Sequence, residues 1–501
     1  MNDLSSPPRR RLPRVGELRW RGALRHRNFR LFWFGQLISL VGTWMQSVAQ
    51  AWLVLQLTHD PFWLGVVAAI QFTPVLVLGL FGGILADILP KRRTIIGTQA
   101  ILMVLALVLA VLSWSGIVQV WHVLVLAFAL GLVNAVDMPT RQAFVMEMVG
   151  REDVANAVGL NSAMFNAARI LGPAVAGLVI GVAGVTICFF LNGLSFVAVI
   201  VSLLAMREAD LHGGARLARP HSVGEVGANL GEGLRYVRRT PVVLLAVTLV
   251  GLVATTGMNF NVLMPAMAND VLHVGAAGFG FLMSAMGLGS LMAALAIAYL
   301  RRPKLSILLV GAFALGALEV VFAGVRFFPL ALVAMFGAGA GAIAMTATAN
   351  SAIQLAVPDA LRGRVLSVYT TVFAGSTPVG GLFAGWLASS FGTPVALAVG
   401  GGTSALVAVG ATVWVMRSGH FAVPRLGRPR PASRDEVGFQ NERLADGVGQ
   451  RVLDVGEAID DAADSMDLPP GRLPLTVASD AAPQPLQLAH REERRVLRQD
   501  N

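Results

Sequence analysis

Residues 61–114 read PFWLGVVAAIQFTPVLVLGLFGGILADILPKRRTIIGTQAILMVLALVLAVLSW. Two apolar runs, 61–86 and 94–114, flank a short turn that carries one acid and three bases. Each run has about the twenty residues that an α-helix needs to cross the hydrocarbon core of a bilayer. The stretch therefore predicts two membrane-spanning helices joined by a charged turn.

The same pattern recurs along the chain of 501 residues. Only 14% of the residues are charged, against about 25% in a typical soluble domain, and 55% are hydrophobic. This composition excludes a soluble enzyme, a disordered chain, a coiled coil and a nucleic-acid-binding protein. The apolar runs predict twelve membrane helices, at 31–57, 61–86, 94–114, 119–138, 157–180, 183–206, 242–266, 277–300, 304–326, 328–350, 365–390 and 393–416.

The basic residues indicate the orientation of these helices. Of the eighteen Lys and Arg residues in 31–416, sixteen fall on connections on the same side of the membrane as the N-terminus. Arg169 lies within a helix, and Arg326 lies on the other side. Because basic residues accumulate on the cytoplasmic side of membrane helices, both termini are predicted to be cytoplasmic.

The longest internal connection, 207–241, divides the predicted helices into six and six. Val223, Val226, Leu230, Leu234 and Val237 recur in it at helical spacing, which predicts an amphipathic helix along the membrane face. The predicted organisation is a basic cytoplasmic segment (1–30), a six-helix bundle (31–206), this linker (207–241), a second six-helix bundle (242–416) and a largely disordered cytoplasmic tail (417–501).

The two predicted bundles also resemble each other in sequence. Gly172-Pro173 in the fifth helix corresponds to Thr377-Pro378 in the eleventh, 205 residues later. A basic cluster follows both the second and the eighth helix. Such a duplicated six-helix unit is typical of secondary transporters.

The turn after the second helix carries Gly83, Asp87, Lys91 and Arg92. A carboxylate at this depth stabilises the N-terminus of a neighbouring helix, and the bases could pair with Asp137 at the end of the fourth helix. An ordinary basic turn with a solvated aspartate explains the same residues equally well.

This turn resembles the loop signature of the major facilitator superfamily. It matches at Gly83, Leu85, Ala86, Asp87, Lys91 and Arg92, and departs at Ile88 and Pro90. The resemblance implies an all-α membrane protein with twelve transmembrane helices in two pseudo-symmetric bundles. It also implies that Asp87 and Arg92, with Asp137 as partner, latch the cytoplasmic end shut.

Further stretches within 28–58, 139–173 and 358–380 resemble the branch that contains the enterobactin exporter and macrolide and multidrug efflux proteins. Gly172, Pro173 and Gly177, with Arg169 one turn earlier, resemble an antiporter-associated motif. Glycine and proline permit tight packing and a bend in a membrane helix. A generic kink is the alternative, but the resemblance favours export over uptake.

Polar residues mark a predicted substrate cavity, because the first, fourth, seventh and tenth helices line the cavity in this superfamily. The first helix carries a stripe on one face: Gln36, Ser39, Thr43, Gln46 and Gln50. Asn134, Asn259 and Asn350 lie on the other three helices. Hydrogen bonding between helices is the alternative for all of them, and it is favoured for the single asparagines.

Two charges are predicted deep in the membrane, where an unpaired charge is costly. Glu319 could carry the proton of a coupled exporter, but Arg326, seven residues later, could neutralise it in a salt bridge. Arg169 could hold an anionic substrate or pair with a carboxylate, although a structural or gating role is favoured.

The sequence thus predicts a secondary transporter in the bacterial cytoplasmic membrane. It would export a small organic molecule, siderophore-like or drug-like, by alternating access with proton antiport. Its partners would be that substrate, protons and the lipid bilayer, with no nucleic acid, cofactor or metal, and it would be a monomer. An importer or lipid flippase of the same fold, and a non-transporting membrane sensor, are the alternatives. The predicted helices contain no catalytic triad or HExxH motif, and the sequence contains no P-loop, so no motif indicates an enzyme.

Overall fold

The computed structural model describes residues 22–212, 223–300 and 304–418, without the side chains of 80–81, 83–84, 86–87, 151 and 223–229. The predicted tail and most of the predicted basic segment lie outside the described residues. So do the details of Gly83 and the side chain of Asp87, two members of the predicted latch.

The described residues are almost entirely helical, with short 3₁₀ turns at Ala23–Arg25 and Glu208–Asp210. In chain order the helices are α1 (Arg27–Thr58), α2 (Pro61–Ile88), α3 (Lys91–Trp114), α4 (Val120–Gly150), α5 (Glu152–Ala183), α6 (Val185–Leu204), α7 (Val223–Arg239), α8 (Pro241–Val271), α9 (Gly275–Tyr299), α10 (Leu305–Gly324), α11 (Phe328–Ala356), α12 (Asp359–Phe391) and α13 (Thr393–Arg417).

Eleven of these described helices, all except α7 and α12, are long and apolar enough to cross a bilayer. Helix α12 has 33 residues, and its glycine, serine and threonine residues lower its hydropathy. With α12 the described part of the chain has twelve crossing helices, six before α7 and six after it. The predicted all-α, twelve-helix fold is therefore confirmed.

Several helix ends differ from the prediction because charged residues were read as breaks. Residues 139–156, predicted as a connection, are helical on both sides of a single break at Gly150, whose φ is 69°. Glycine adopts this left-handed conformation without the steric cost that a side chain brings. Helix α12 likewise begins at Asp359, ahead of its predicted start at 365.

Helix α8 is interrupted near its middle. Its first segment ends at Gly257, a second runs over Phe260–Ala266, and a π-helical turn, Met267–Val271, completes it. The prediction of one continuous helix over 242–266 is wrong in this respect. Pro265 lies within the second segment, and proline disrupts a regular helix because it lacks a backbone N–H.

The helices pack into two groups of six. In the first group α1 contacts α5 and α6, α2 contacts α4, and α3 contacts α6. In the second, α11 contacts α9 and α10, and α13 contacts α10 and α8. The closest contacts between the groups are those of α2 with α12 and α5 with α9, and α8 adds smaller contacts with α1 and α2.

Candidate functional site

The contact between α5 and α9, here called the α5–α9 seam, is built from small residues. A Cβ on Gly280 would lie 2.3 Å from the carbonyl oxygen of Pro173, and one on Gly177 would lie 2.9 Å from that of Ala276. Ser284 Oγ donates a hydrogen bond to the carbonyl oxygen of Ile170 at 2.7 Å. Pro173 and Gly177 of the predicted motif therefore let two helices from different groups touch.

Gly172 of the same motif contacts α1, on the other side of α5 from α9. A Cβ at this position would lie 2.5 Å from Cβ of Trp44 and 2.9 Å from the carbonyl oxygen of Val41 on α1. Helix α5 is therefore held closely between α1 and α9 along one turn.

The contact between α2 and α12, here called the α2–α12 seam, also depends on glycine. A Cβ on Gly65 would lie 2.2 Å from the carbonyl oxygen of Gly381, and one on Gly385 would lie 3.1 Å from that of Pro61. Further along, Gly375 faces Leu76 at a looser 3.7 Å. The backbones of the two groups touch directly at this seam.

Both seams lie toward the same end of the bundle. That end lies opposite the basic end, defined as the end where α1 and α3 begin and α6 finishes. On α12 the seam residues Gly381 and Gly385 are buried, whereas the four consecutive residues 370–373, nearer the basic end, are all exposed. These exposed residues lie outside the seam, so the close backbone contact between α2 and α12 is confined to the end opposite the basic end.

The predicted polar stripe of α1 divides between two environments. Ser39 and Gln46 are buried, and Gln46 Oε1 accepts a hydrogen bond from Asn192 Nδ2 of α6 at 2.6 Å. These two side chains therefore contribute to packing between helices. Thr43 is exposed, and Gln50 Nε2 lies 3.5 Å from Gln71 Oε1 of α2. Gln36 is buried, and its Oε1 has no hydrogen-bond partner.

The three single asparagines have mostly local contacts. Asn259 Nδ2 donates to the carbonyl oxygen of Thr255 at 2.8 Å, at the break in α8. Asn350 Oδ1 accepts from Gln354 Nε2 at 2.7 Å on α11. Asn134 is half-buried on α4.

The basic end of the first group carries a polar network. Asp137 is fully buried and accepts hydrogen bonds from Thr98 Oγ1 at 2.5 Å and Gln99 Nε2 at 3.1 Å, and it forms an ion pair with Arg141. Sequence reasoning offered Arg92 as the partner of Asp137. In the structure Asp137 is instead satisfied by α3 and by its own helix.

The bases of the predicted latch bind elsewhere. Arg92 Nε donates to the carbonyl oxygen of Leu203 at 2.8 Å, and its guanidinium forms an ion pair with Glu208. Lys91 Nζ lies 2.7 Å from Glu147 Oε1. Both bases therefore hold segments within the first group together.

Sequence reasoning missed a contact that fixes the start of α1. Asp153 Oδ2 lies 2.9 Å from Arg25 Nη2 and 2.8 Å from His26 Nε2. The backbone N–H of Ala23 donates to Asn156 Oδ1 at 2.9 Å. No local signal in the sequence could have revealed this, because more than 120 residues separate the partners.

Glu319 of α10 is fully buried, and neither of its carboxylate oxygens has a hydrogen-bond partner. Glycines surround it: a Cβ on Gly257 would lie 2.9 Å from Oε2, and one on Gly401 would lie 2.9 Å from Cβ of Glu319. Arg326 does not reach it, since its Nη1 donates to the carbonyl oxygens of Ala323 and Val325, each at 3.0 Å. The expected salt bridge is therefore not formed.

Arg169 lies at the middle of α5, and its Nε is buried without a hydrogen-bond partner. It lies on the face of α5 between Gly172, which contacts α1, and Gly177, which contacts α9. Residue 169 therefore lies on α5 between its contact with α1 and its contact with the second group of helices.

Twelve crossing helices in two joined groups of six are the architecture of membrane transporters of the major facilitator fold. Solved structures share this fold. A bacterial homolog of the human lysosomal transporter Spinster, solved in an inward-facing and unoccupied conformation, matches with a TM-score of 0.62 and 12% identity over 83% of this chain and all of that chain. The nucleoside transporter NupG matches with a TM-score of 0.64 and 11% identity over 77% of this chain and 98% of that chain.

The chain belongs to the transmembrane secretion effector family, whose sequence profile matches residues 21–436. The multidrug efflux pump Tap of Mycolicibacterium fortuitum is 31% identical over 72% of this chain and 89% of its own length. The staphyloferrin A transporter of Staphylococcus aureus is 25% identical over the same shares. Macrolide efflux protein A of Streptococcus pyogenes is 24% identical over 48% of this chain and 59% of its own length. The predicted superfamily and branch are confirmed.

Proposed function

We propose that this transporter exports a small organic molecule from the bacterial cytoplasm by alternating access, in exchange for protons. The observation that carries the proposal is that the two groups of helices touch backbone to backbone at two seams, both toward the end opposite the basic end. Because basic residues mark the cytoplasmic side, a cavity open there would load substrate from the cytoplasm. The names of the relatives, which include efflux pumps, support the direction.

In this proposal the units that move are the two predicted bundles, 31–206 and 242–416, in a single-chain transporter with both termini in the cytoplasm. The seams would part when the bundles rock, and the basic end would then close. Asp87, Lys91, Arg92 and Asp137 would latch it in that second state. Arg92 now pairs with the exposed Glu208, a partner that it can exchange at little cost, whereas Lys91 pairs with the half-buried Glu147.

Glu319 is the proposed proton carrier. A carboxylate that is ionised, buried and without a partner is unstable in a membrane interior, and a bound proton removes that charge. Glu319 lies against Gly257, where α8 is interrupted, and beside Gly400 and Gly401 of α13. A helix that can change its bend at this point would expose the carboxylate to water in one state and bury it in the other.

The test uses everted membrane vesicles, in which the cytoplasmic side faces the medium. A proton gradient is established, and catecholate siderophores, macrolides and cationic dyes are added while the gradient is followed with a fluorescent pH probe. We expect at least one compound to dissipate the gradient and accumulate inside. Glu319→Gln should abolish both signals.

Asp270→Asn is the matched control, because Asp270 is exposed and its charge is removed in the same way. It should leave the signals unchanged. Accumulation that persists in Glu319→Gln would reject Glu319 as the carrier. Movement of a compound only out of the vesicles would indicate the importer. Movement of lipid across the membrane would indicate the flippase. Binding without movement of any compound would favour a sensor.

A further inference from the structure

Among the described residues, Arg169 is a deep arginine whose charge the fold leaves without a carboxylate partner. Helix α5 presents its residues at about 100° intervals, so Arg169, Ala176 and Ile180 share one face with Ser162 and Asn166. Gly172 borders this face on the α1 side, and Gly177 borders it on the α9 side. The face therefore points toward the axis between the two groups of helices.

Along this face, Arg169 lies between exposed and buried residues. Toward the closed end, Ala176 and Ile180 are buried. Toward the basic end, Ser162 and Phe165 are exposed and Asn166 is half-buried. Arg169 is thus the last side chain on α5 that a solute entering from the basic end would meet before the closed seam.

No carboxylate among the described residues pairs with Arg169. Asp137 pairs with Arg141, and Asp153 pairs with Arg25 and His26. Glu319, although unpartnered, is enclosed by glycines of α8 and α13. An arginine side chain this deep in a membrane protein is costly without an anion, and the buried Nε has no acceptor.

The surroundings of Arg169 suit an organic molecule more than an inorganic ion. One turn away, Phe165 packs edge-on against Trp44 with 5.7 Å between ring centroids, and the Phe165 side chain is 46% exposed. Asn161 Oδ1 is buried without a hydrogen-bond partner. An aromatic surface therefore lies one turn from Arg169 toward the basic end, and an unused amide lies one turn further along α5.

We infer that Arg169 is the recognition point for a carboxylate on the transported molecule, and that the class of substrate is an organic acid with a planar apolar body. The inference rests on the proposed function, since it identifies the substrate class of that cavity. The guanidinium would bind the carboxylate through two parallel charge-assisted hydrogen bonds. The planar body would then lie against Phe165.

The test measures equilibrium binding to the purified full-length protein in detergent, without any gradient. The two probes are fluorescein, an anionic xanthene dye with a free carboxylate, and rhodamine 123, a cationic xanthene dye whose carboxyl group is esterified. Binding is followed by fluorescence anisotropy. We expect Arg169→Gln to weaken fluorescein binding at least about tenfold, as loss of a charge-assisted pair should, and to leave rhodamine 123 binding equal or tighter.

Two further variants keep the inference falsifiable. Arg169→Lys retains the charge but not the paired geometry, so its affinity for fluorescein should lie between those of the wild type and Arg169→Gln. Arg326→Gln removes an arginine bonded to backbone carbonyls and should bind both dyes as the wild type does.

Equal fluorescein binding by the wild type and Arg169→Gln would overturn the inference, as would an equal loss of both dyes. Because no transport is measured, failure of the proposed antiport would appear in vesicles while dye binding persisted. The two proposals can therefore fail separately.

Discussion

The two seams close the same end of the molecule but differ in what they are made of. At the α2–α12 seam, glycines bring backbone against backbone, and the closest approach is that of Gly65 to the carbonyl oxygen of Gly381. The α5–α9 seam has the same close approach at Gly280, but it also has the Ser284 hydrogen bond and ends at Arg169. The difference suggests that one seam is a steric closure, whereas the other couples closure to what occupies the cavity.

Gly280→Val should have the largest effect, because it breaks the seam that carries Arg169. The added side chain has no room, since even a Cβ would lie 2.3 Å from the Pro173 carbonyl oxygen. Overpacking of this kind costs about 1–3 kcal/mol. We expect transport in vesicles to fall at least about tenfold, and fluorescein binding to fall with it because Arg169 is displaced.

Gly181→Val on α5 is the control for this variant, because a Cβ at Gly181 meets no atom within 4 Å. It should transport and bind normally. Normal fluorescein binding in Gly280→Val would show that the α5–α9 seam does not position Arg169.

Gly65→Val should reduce transport while leaving fluorescein binding almost unchanged. Its side chain would meet the Gly381 carbonyl oxygen, so the α2–α12 seam cannot close and transport should again fall about tenfold. Fluorescein binding should stay within about twofold, because Arg169 lies at the other seam and distant sites behave independently. Gly79→Val on the same helix has open space around it and should behave as the wild type.

Solvent access at the α2–α12 seam can be followed directly. The chain has one cysteine, Cys188, which is buried. A cysteine introduced at the buried Ala388 should react with an impermeant maleimide faster in Gly65→Val than in the wild-type background. Equal reaction rates would mean that the seam remains closed despite the valine.

Ser284→Ala should have the smallest effect. It removes one hydrogen bond between helices, and such bonds in membranes contribute about 0.6 kcal/mol on average. Transport and fluorescein binding should each change by no more than about threefold. A larger loss would mean that the hydroxyl, and not the close backbone contact, determines the strength of the α5–α9 seam.

The sequence predicted the helices better than the side-chain partners. Hydropathy and turn residues predicted twelve spans, including α12, because burial in lipid constrains every residue of a span. The spacing of Glu319 and Arg326 suggested a salt bridge, which assumes that the helix continues through both residues. Helix α10 ends at Gly324, so Arg326 leaves the helical path and bonds to carbonyl groups at the helix end.

The sequence predicted the α1 stripe as one polar face, but it could not predict which members of the stripe bond to other helices. Whether Gln46 faces a cavity or Asn192 depends on how α6 packs, which is determined by residues about 150 positions away. The motif around Pro173 likewise predicted close packing without indicating that α9 is the partner. Local sequence encodes which faces are polar or small, and tertiary packing decides what those faces meet.

Helix α7 sets a limit on how far the two groups of helices can separate at the basic end. The first group holds the chain as far as His212, whose backbone N–H donates to the carbonyl oxygen of Glu147 at 2.8 Å. The second group holds α7 through the ion pair between Glu232 and Arg364 and the hydrogen bond from Tyr236 to the Ala356 carbonyl oxygen. Between His212 and α7 lie residues 213–222, which at full extension span about 35 Å. The number of residues in this connection thus limits the distance between the two groups at the basic end. Shortening the connection would restrict their separation without altering any residue of the cavity.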